Sequence, residues 1–231
     1  MKRVLDVARI QLVNWPALLA FPLAMVAVLP LLGWGIDVSN GDGALGAHEI
    51  YLLPALWGVA APAHLQSMTQ VFPFSLGLGV TRRTFAAATA LVVAGQALLL
   101  GLAMVALAVV ERSTGGWGRE ARIFDLDVLG RHDPFALWFV YSGPLVAVSA
   151  IGVLAGVVFQ RWHQTGIYLA LAGAVALLAG IKVLVARRSW WPAIGDFLGG
   201  QPSFALYTVY PVAFALALGG AAWLVLRRAT A

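Results

Sequence analysis

This sequence predicts an all-α, polytopic membrane fold with six transmembrane helices, and three observations carry the prediction. Of its 231 residues, 61% are hydrophobic and only 11% charged, against roughly 25% charged in an ordinary globular domain. Such a chain has too few charged side chains to coat a surface facing water, so its natural solvent is lipid. The apolar residues gather into six stretches near the length of about 20 residues that a helix needs to cross the hydrocarbon. The basic residues collect in the connections, where membrane proteins carry them.

The predicted spans are 15–36, 50–68, 84–110, 135–159, 167–186 and 206–226, and they form one membrane domain over 1–231. The third is long enough to tilt or project. The formal charge of +5 sits at particular loops, so it reads as a topology signal and points to no nucleic-acid partner. With no cysteine, disulfides and thiolate metal sites are excluded.

Six spans put both termini on one side. That side holds Lys2, Arg3, Arg9, Arg82, Arg83, Arg161, Arg227 and Arg228; the other holds Arg112, Arg119, Arg122, Arg131, Lys182, Arg187 and Arg188. The numbers nearly balance. Four basic residues of the second set, however, lie in the 111–134 loop beside Glu120, Asp125, Asp127 and Asp133, and the first outward loop has acids alone. The first helix usually dominates orientation, and its basic flank is N-terminal. The expectation is a plasma-membrane protein with both termini in the cytoplasm.

"MKRVLDVARIQLVNW" does not read as a cleaved signal peptide, because the apolar run that follows is too long and is interrupted by Pro16, Pro22 and Pro30. Lys2, Asp6 and Arg9 share one helical face, and Val4, Leu5, Ala8, Ile10 and Leu12 occupy much of the rest. This spacing predicts a short interfacial helix that turns into the membrane at Asn14-Trp15-Pro16.

Two connections are long. In 111–134, "RIFDLDVLG" is expected to form a short strand or helix lying on the membrane. Before the last span, "RRSWWPAIGDFLGGQPSFA" places Trp190, Trp191 and Phe197 among backbone-breaking Pro and Gly. It reads as one or two short re-entrant or interfacial helices, or else as an aromatic belt with a turn.

Catalytic signatures are missing from the sequence. There is no GxxxxGK[ST], HExxH or GxSxG and no pair of His at metal-ligand spacing. No cofactor is expected on this chain. His64, with Gln66 close by, and Gln96 are the notable polar residues inside spans. They are candidates for a transport path or for hydrogen bonds between helices. His64 is expected near the cytoplasmic end of its span, within reach of water or of a neighbouring helix. Few charged residues lie within spans, which argues against a proton-driven pump. Small residues abound in "AAATALVVAGQALLLGLA", "SAIGVLAG", "LALAGAVALLAG" and "ALALGGAA", and they allow helices to approach closely in lipid.

"FPFSLGLGVTRRTF", residues 72–85, separates the second and third spans. Phe72, Pro73 and Phe74 give a rigid aromatic exit, and Ser75 is placed to cap a short turn. Leu76 adds apolar surface, and Gly77 and Gly79 permit a sharp bend. Thr81 is placed to cap the next helix. Arg82 and Arg83 oppose that helix's dipole, so anionic headgroups or an acidic partner must favour them. Phe72, Phe74 and Leu76 are expected to supply apolar contact to a cytoplasmic protein.

Together, the six spans, the interfacial helix, the "LGVTRRTF" stretch and the "ERSTGGWG" outer loop resemble membrane subunits of ATP-binding-cassette (ABC) exporters of the second type, in particular small actinobacterial permeases. The resemblance is one of pattern and spans nearly the whole chain. It implies that residues 72–83 couple to an ATPase on a separate polypeptide, which would carry ATP and Mg. It also implies a dimer of permease subunits, as homodimer or heterodimer, with two copies of the ATPase, exporting an amphipathic or apolar drug, lipid or peptide. Two other classes stay open on the residues alone. One is a membrane scaffold or assembly module. The other is an intramembrane enzyme using His64, His163 or a Ser, for which no nucleophile-and-base spacing is readable.

Overall fold

The computed structural model describes residues 2–40, 53–115, 123–126, 129 and 133–227. Among them the fold is all-α, with no strand. Helix α1 is Lys2–Leu12, followed by a π turn at Pro16–Ala20 and helix α2, Phe21–Asn40. Helix α3, Ala60–Gln66, continues through a second π turn, Ser67–Val71, into the short α4, Phe72–Gly77. Helix α5 is Arg82–Ser113 and α6 is Pro134–Arg187. The short α7, Trp191–Gly199, precedes a third π turn, Ala205–Val209, and helix α8, Tyr210–Leu226. The first outward loop beyond residue 40, His48, His132, Arg119, Arg122, Arg131 and Arg228 lie outside the described residues.

Among the described residues, three helical runs are long and apolar enough to cross a membrane: Arg82–Ser113, Pro134–Arg187 and Ala205–Leu226. A fourth candidate is α1 taken with Pro16–Val28, and this pair is bent by 76°. The bend falls where Asn14-Trp15-Pro16 was expected to turn the chain. Helix α1 buries Val7, Ala8 and Gln11 and leaves Lys2, Arg3, Leu5, Asp6 and Arg9 exposed. Its charged face is thus available to water or headgroups while its small residues lie on α5.

Helix α6 covers 54 residues, about 80 Å if straight, against a hydrocarbon thickness of about 30 Å. It is in fact two helices that meet at His163, where φ 53° and ψ −148° are non-helical. Asp133 caps the start, accepting hydrogen bonds from the N–H groups of Phe135 and Ala136 at 2.9 and 3.1 Å. The half after His163 is almost wholly exposed, with Leu169, Leu177 and Leu178 each more than 60% accessible.

Two apolar clusters stack along the bundle. One joins Ala97, Leu100 and Met104 of α5 to Leu137, Tyr141 and Leu145 of α6. The other joins Val7 and Ala8 of α1 to Phe72, Phe85 and Leu226. Between them α5 carries Gln96, and α3 carries His64.

Among the described residues, each of the three π turns comes just before a proline, although Pro144 inside α6 has none before it. Pro22, Pro73 and Pro211 each stand two residues beyond a π turn. A proline has no N–H, so the carbonyls of Leu18, Thr69 and Tyr207, four residues earlier, lose their α-helical donor. In an apolar interior a bare carbonyl costs several kcal/mol, and π adjustment with outside donors is how a helix accommodates it. Gln96 Nε2 donates to the Leu18 carbonyl. Gln160 Nε2 donates to the carbonyls of Met68 and Thr69 at 2.9 and 3.0 Å. The Tyr207 carbonyl packs against Gly143, where a Cβ would collide with it.

Not all the small residues serve close packing. A Cβ on Gly101 would strike Ser142, one on Gly152 the Ala61 backbone, and one on Gly156 Met68, whereas Gly95, Gly173, Gly180, Gly219 and Gly220 have open space. The tight positions therefore fix α3, α5 and α8 against the first half of α6. Gly152→Val and Gly143→Val should each destabilise the protein by about 1–3 kcal/mol through overpacking against backbone. Gly180→Val should leave its melting temperature in detergent unchanged, and thermal unfolding of the three purified variants checks both expectations.

Candidate functional site

The connection from α4 to α5 is a braced hairpin. Helix α4 begins at Phe72 with Pro73 in its first turn and ends at Gly77, with Leu78 as C-cap. Gly79 takes φ +78°, a left-handed conformation that glycine adopts without steric cost. Its N–H donates to the Leu76 carbonyl at 2.9 Å, and the Val80 N–H donates to the Ser75 carbonyl at 3.1 Å. These bonds close the helix end in the manner of a Schellman cap. Thr81 then caps α5, its Oγ1 accepting from the Thr84 N–H at 3.2 Å.

The structure redistributes the roles expected along this stretch. Phe72 is buried in its own chain, its ring edge-on to Phe85 at 5.0 Å, so it offers no surface to a partner. Phe74 is 61% exposed and Leu78 60%. Pro73, Gly77 and Arg83 are exposed and Leu76 is half-buried. Ser75 does not cap the turn; it lies inside α4, fully buried. Arg82 donates to the Arg227 carbonyl at 3.3 Å. An arginine at the start of α5 is therefore favoured by the carbonyl end of the last helix, where cations sit well. This contact places the hairpin and the end of α8 at the same end of the bundle.

The polar residues within the helices form a structural network. Gln96 uses its amide N–H on Leu18, so its Oε1 faces His64 Nε2, at 2.5 Å. Because that oxygen can only accept, His64 must carry its proton on Nε2. His64 is fully buried, so of the two expected partners, water and a neighbouring helix, it has the second. Gln11 of α1 is buried as well; it donates to Thr89 Oγ1 at 3.0 Å and accepts from Ser67 Oγ at 3.4 Å. Gln66 stands apart, its side-chain amide donating to Gln70 Oε1 at 3.2 Å on the exposed side. Sequence reasoning missed Gln11 and Gln160. The available signal was an amide on an otherwise apolar or charged helical face, opposite a segment that contains proline.

An apolar cleft of about 420 Å³ runs between α5, α6 and α8, lined among others by Ala90, Ala94, Ala150, Val153, Gly219 and Trp223. Neither His64 nor Gln96 lines it. At the far end of α5, Glu111 is buried and its carboxylate accepts from the N–H groups of Ile123, Phe124 and Asp125 at 3.0, 3.1 and 2.9 Å. Arg112 pairs with Asp125 at 2.5 Å, and the Tyr141 hydroxyl donates to the Phe124 carbonyl. The described part of "RIFDLDVLG" is thus neither strand nor α-helix but a bent segment wrapped around a carboxylate. Trp190, Trp191 and Phe197 all lie exposed on or beside α7, about half accessible, and one short helix occupies that connection. Among the described residues no group of His, Asp or Glu could hold a metal ion.

No known protein-family model, curated protein or solved structure matches this chain.

Replacing Gln96 by Leu strands the Leu18 carbonyl and the His64 N–H in an apolar interior, and should cost about 1–2 kcal/mol of stability. Gln66→Leu, at an exposed pair, should stay within about 0.5 kcal/mol. Equilibrium unfolding in mixed micelles separates the two.

Proposed function

We propose that this chain is the permease subunit of an ABC exporter in the plasma membrane, with six crossings and both termini cytoplasmic. The observation that carries this reading is the 72–83 hairpin, a rigid, hydrogen-bonded projection between apolar helices that displays Phe74 and Leu78 with Arg83 beside them. Exposed aromatic and aliphatic side chains on a fixed backbone are suitable anchors for a protein pocket, and a flanking charge adds electrostatic fit at the rim. The resemblance of "LGVTRRTF" to the coupling segment of such permeases points to an ATP-hydrolysing subunit as the partner.

Six crossings follow if α2, α3 with its preceding turn, α5, the two halves of α6 around His163, and α8 each span once. The meeting of Arg82 with the end of α8 supports placing the hairpin and the C-terminus on one side. The exposed half of α6 supports a second permease subunit, identical or not. Two ATPase subunits would carry ATP and Mg. Their approach on binding ATP would push the hairpin, and α4 and α5 would pass that motion to the helices lining the apolar cleft. A cleft without charge suits an amphipathic or apolar cargo, such as a drug, lipid or peptide. Transport is coupled provided the cargo binds the two conformations with different affinity.

Purification from the native host in mild detergent should bring down an ATP-hydrolysing subunit. Phe74→Asp combined with Leu78→Asp should release it while the melting temperature of the permease stays put. Phe72→Asp should instead unfold the chain, since that ring is core. If the ATPase stays bound to the Phe74/Leu78 variant with unchanged substrate-stimulated hydrolysis, the coupling role fails.

A further inference from the structure

A second groove, of about 410 Å³, lies where α1 rests on α5. Its volume falls in the range of small-molecule sites, roughly 300–1,000 Å³. Its walls are Leu5, Leu12, Leu19, Leu91 and Leu99, its floor includes Gly95, and Arg9 stands at its edge. A Cβ on Gly95 would meet nothing within 4 Å, so this glycine keeps the floor open and no neighbour fills the space. Arg9 is exposed, with a single ion pair to Asp6 at 4.0 Å, which at a surface is weak. Lys2 and Arg3, also exposed, lie on the same short helix. Val13 and Trp15 present further exposed apolar surface close by in the chain.

An apolar trough with a cation at its rim, on a helix bent by 76° from the one that follows, has the charge and shape of one kind of occupant. We infer that this groove holds an anionic phospholipid, with an acyl chain against Leu91, Gly95 and Leu99 and its phosphate on Arg9. The inference rests on the membrane setting of the chain and is independent of the transport reading. The bound lipid would fill a gap between α1 and α5 and so strengthen the docking of α1 that Gln11 makes through Thr89.

The test uses the full chain in phosphatidylcholine nanodiscs with and without phosphatidylglycerol, followed by gentle extraction and native mass spectrometry of the retained lipid. The wild-type protein should retain phosphatidylglycerol in preference to phosphatidylcholine. Arg9→Gln should lower that preference about fivefold, the weight of one basic side chain near an anionic surface. Asp6→Asn, which removes the competing carboxylate, should raise it. Gly95→Leu, which has room to fold, should abolish retention of both lipids. Gly180→Leu, on the exposed half of α6, should change nothing. Equal retention of the two lipids by the wild type, an unchanged preference in Arg9→Gln, or undiminished retention in Gly95→Leu would each overturn the proposal.

Discussion

A backbone carbonyl deprived of its donor inside an apolar bundle is the constraint around which this protein is built. Prolines at 22, 73 and 211 create three such carbonyls, and water is not at hand to satisfy them. The chain answers with a π turn before each of these three prolines, though not before Pro144 within α6, and with contacts that reach across the bundle. Gln96 ties α5 to the turn ahead of α2, and Gln160 ties α6 to the turn ahead of α4. Gly143 lets the third carbonyl come flush against α6. The resulting bonds connect helices that dispersion alone would hold loosely, since lipid is as apolar as the side chains.

The hairpin inherits its stiffness from this arrangement. Its root is the Ser67–Val71 turn gripped by Gln160, its base is the Phe72–Phe85 ring contact, and its far side is tied by Arg82 to the end of α8. A projection fixed at three points can transmit force in either direction. At the other end of α5, the Glu111 carboxylate gathers three N–H groups and wraps a loop over Tyr141. The two ends of α5 are thus built differently: one displays apolar side chains, while the other buries Ile123, Phe124 and Leu126.

The long apolar stretches, the turn after α1 and, as one of two readings, the short helix before α8 were legible because each depends on local pattern. The Thr81 cap was legible for the same reason. Phe72 and Phe74 were not separable as a string. Two residues apart on a helix they point about 200° away from each other, so only one can face a partner. Leu78, one turn beyond Phe74, shares its side. Arg82 looked as if it needed an anionic headgroup or an acidic partner because its acceptor, the Arg227 carbonyl, is 145 residues away. Gln160 looked like a loop residue, and its use became visible only once Thr69 was seen to face Pro73 four residues on. Long-range pairing of a side-chain amide with one specific carbonyl leaves no periodic trace in the sequence.

The account stands on Gln160 serving a carbonyl that Pro73 has orphaned, and a double-mutant cycle isolates that link. Stability by equilibrium unfolding should be measured for Gln160→Leu, Pro73→Ala and the double variant. Pro73→Ala restores an N–H four residues beyond Thr69, so Gln160→Leu should cost about 1–2 kcal/mol in the parent background and distinctly less when Ala occupies position 73. Strictly additive effects would mean that the proline and the amide act independently, and would contradict the account.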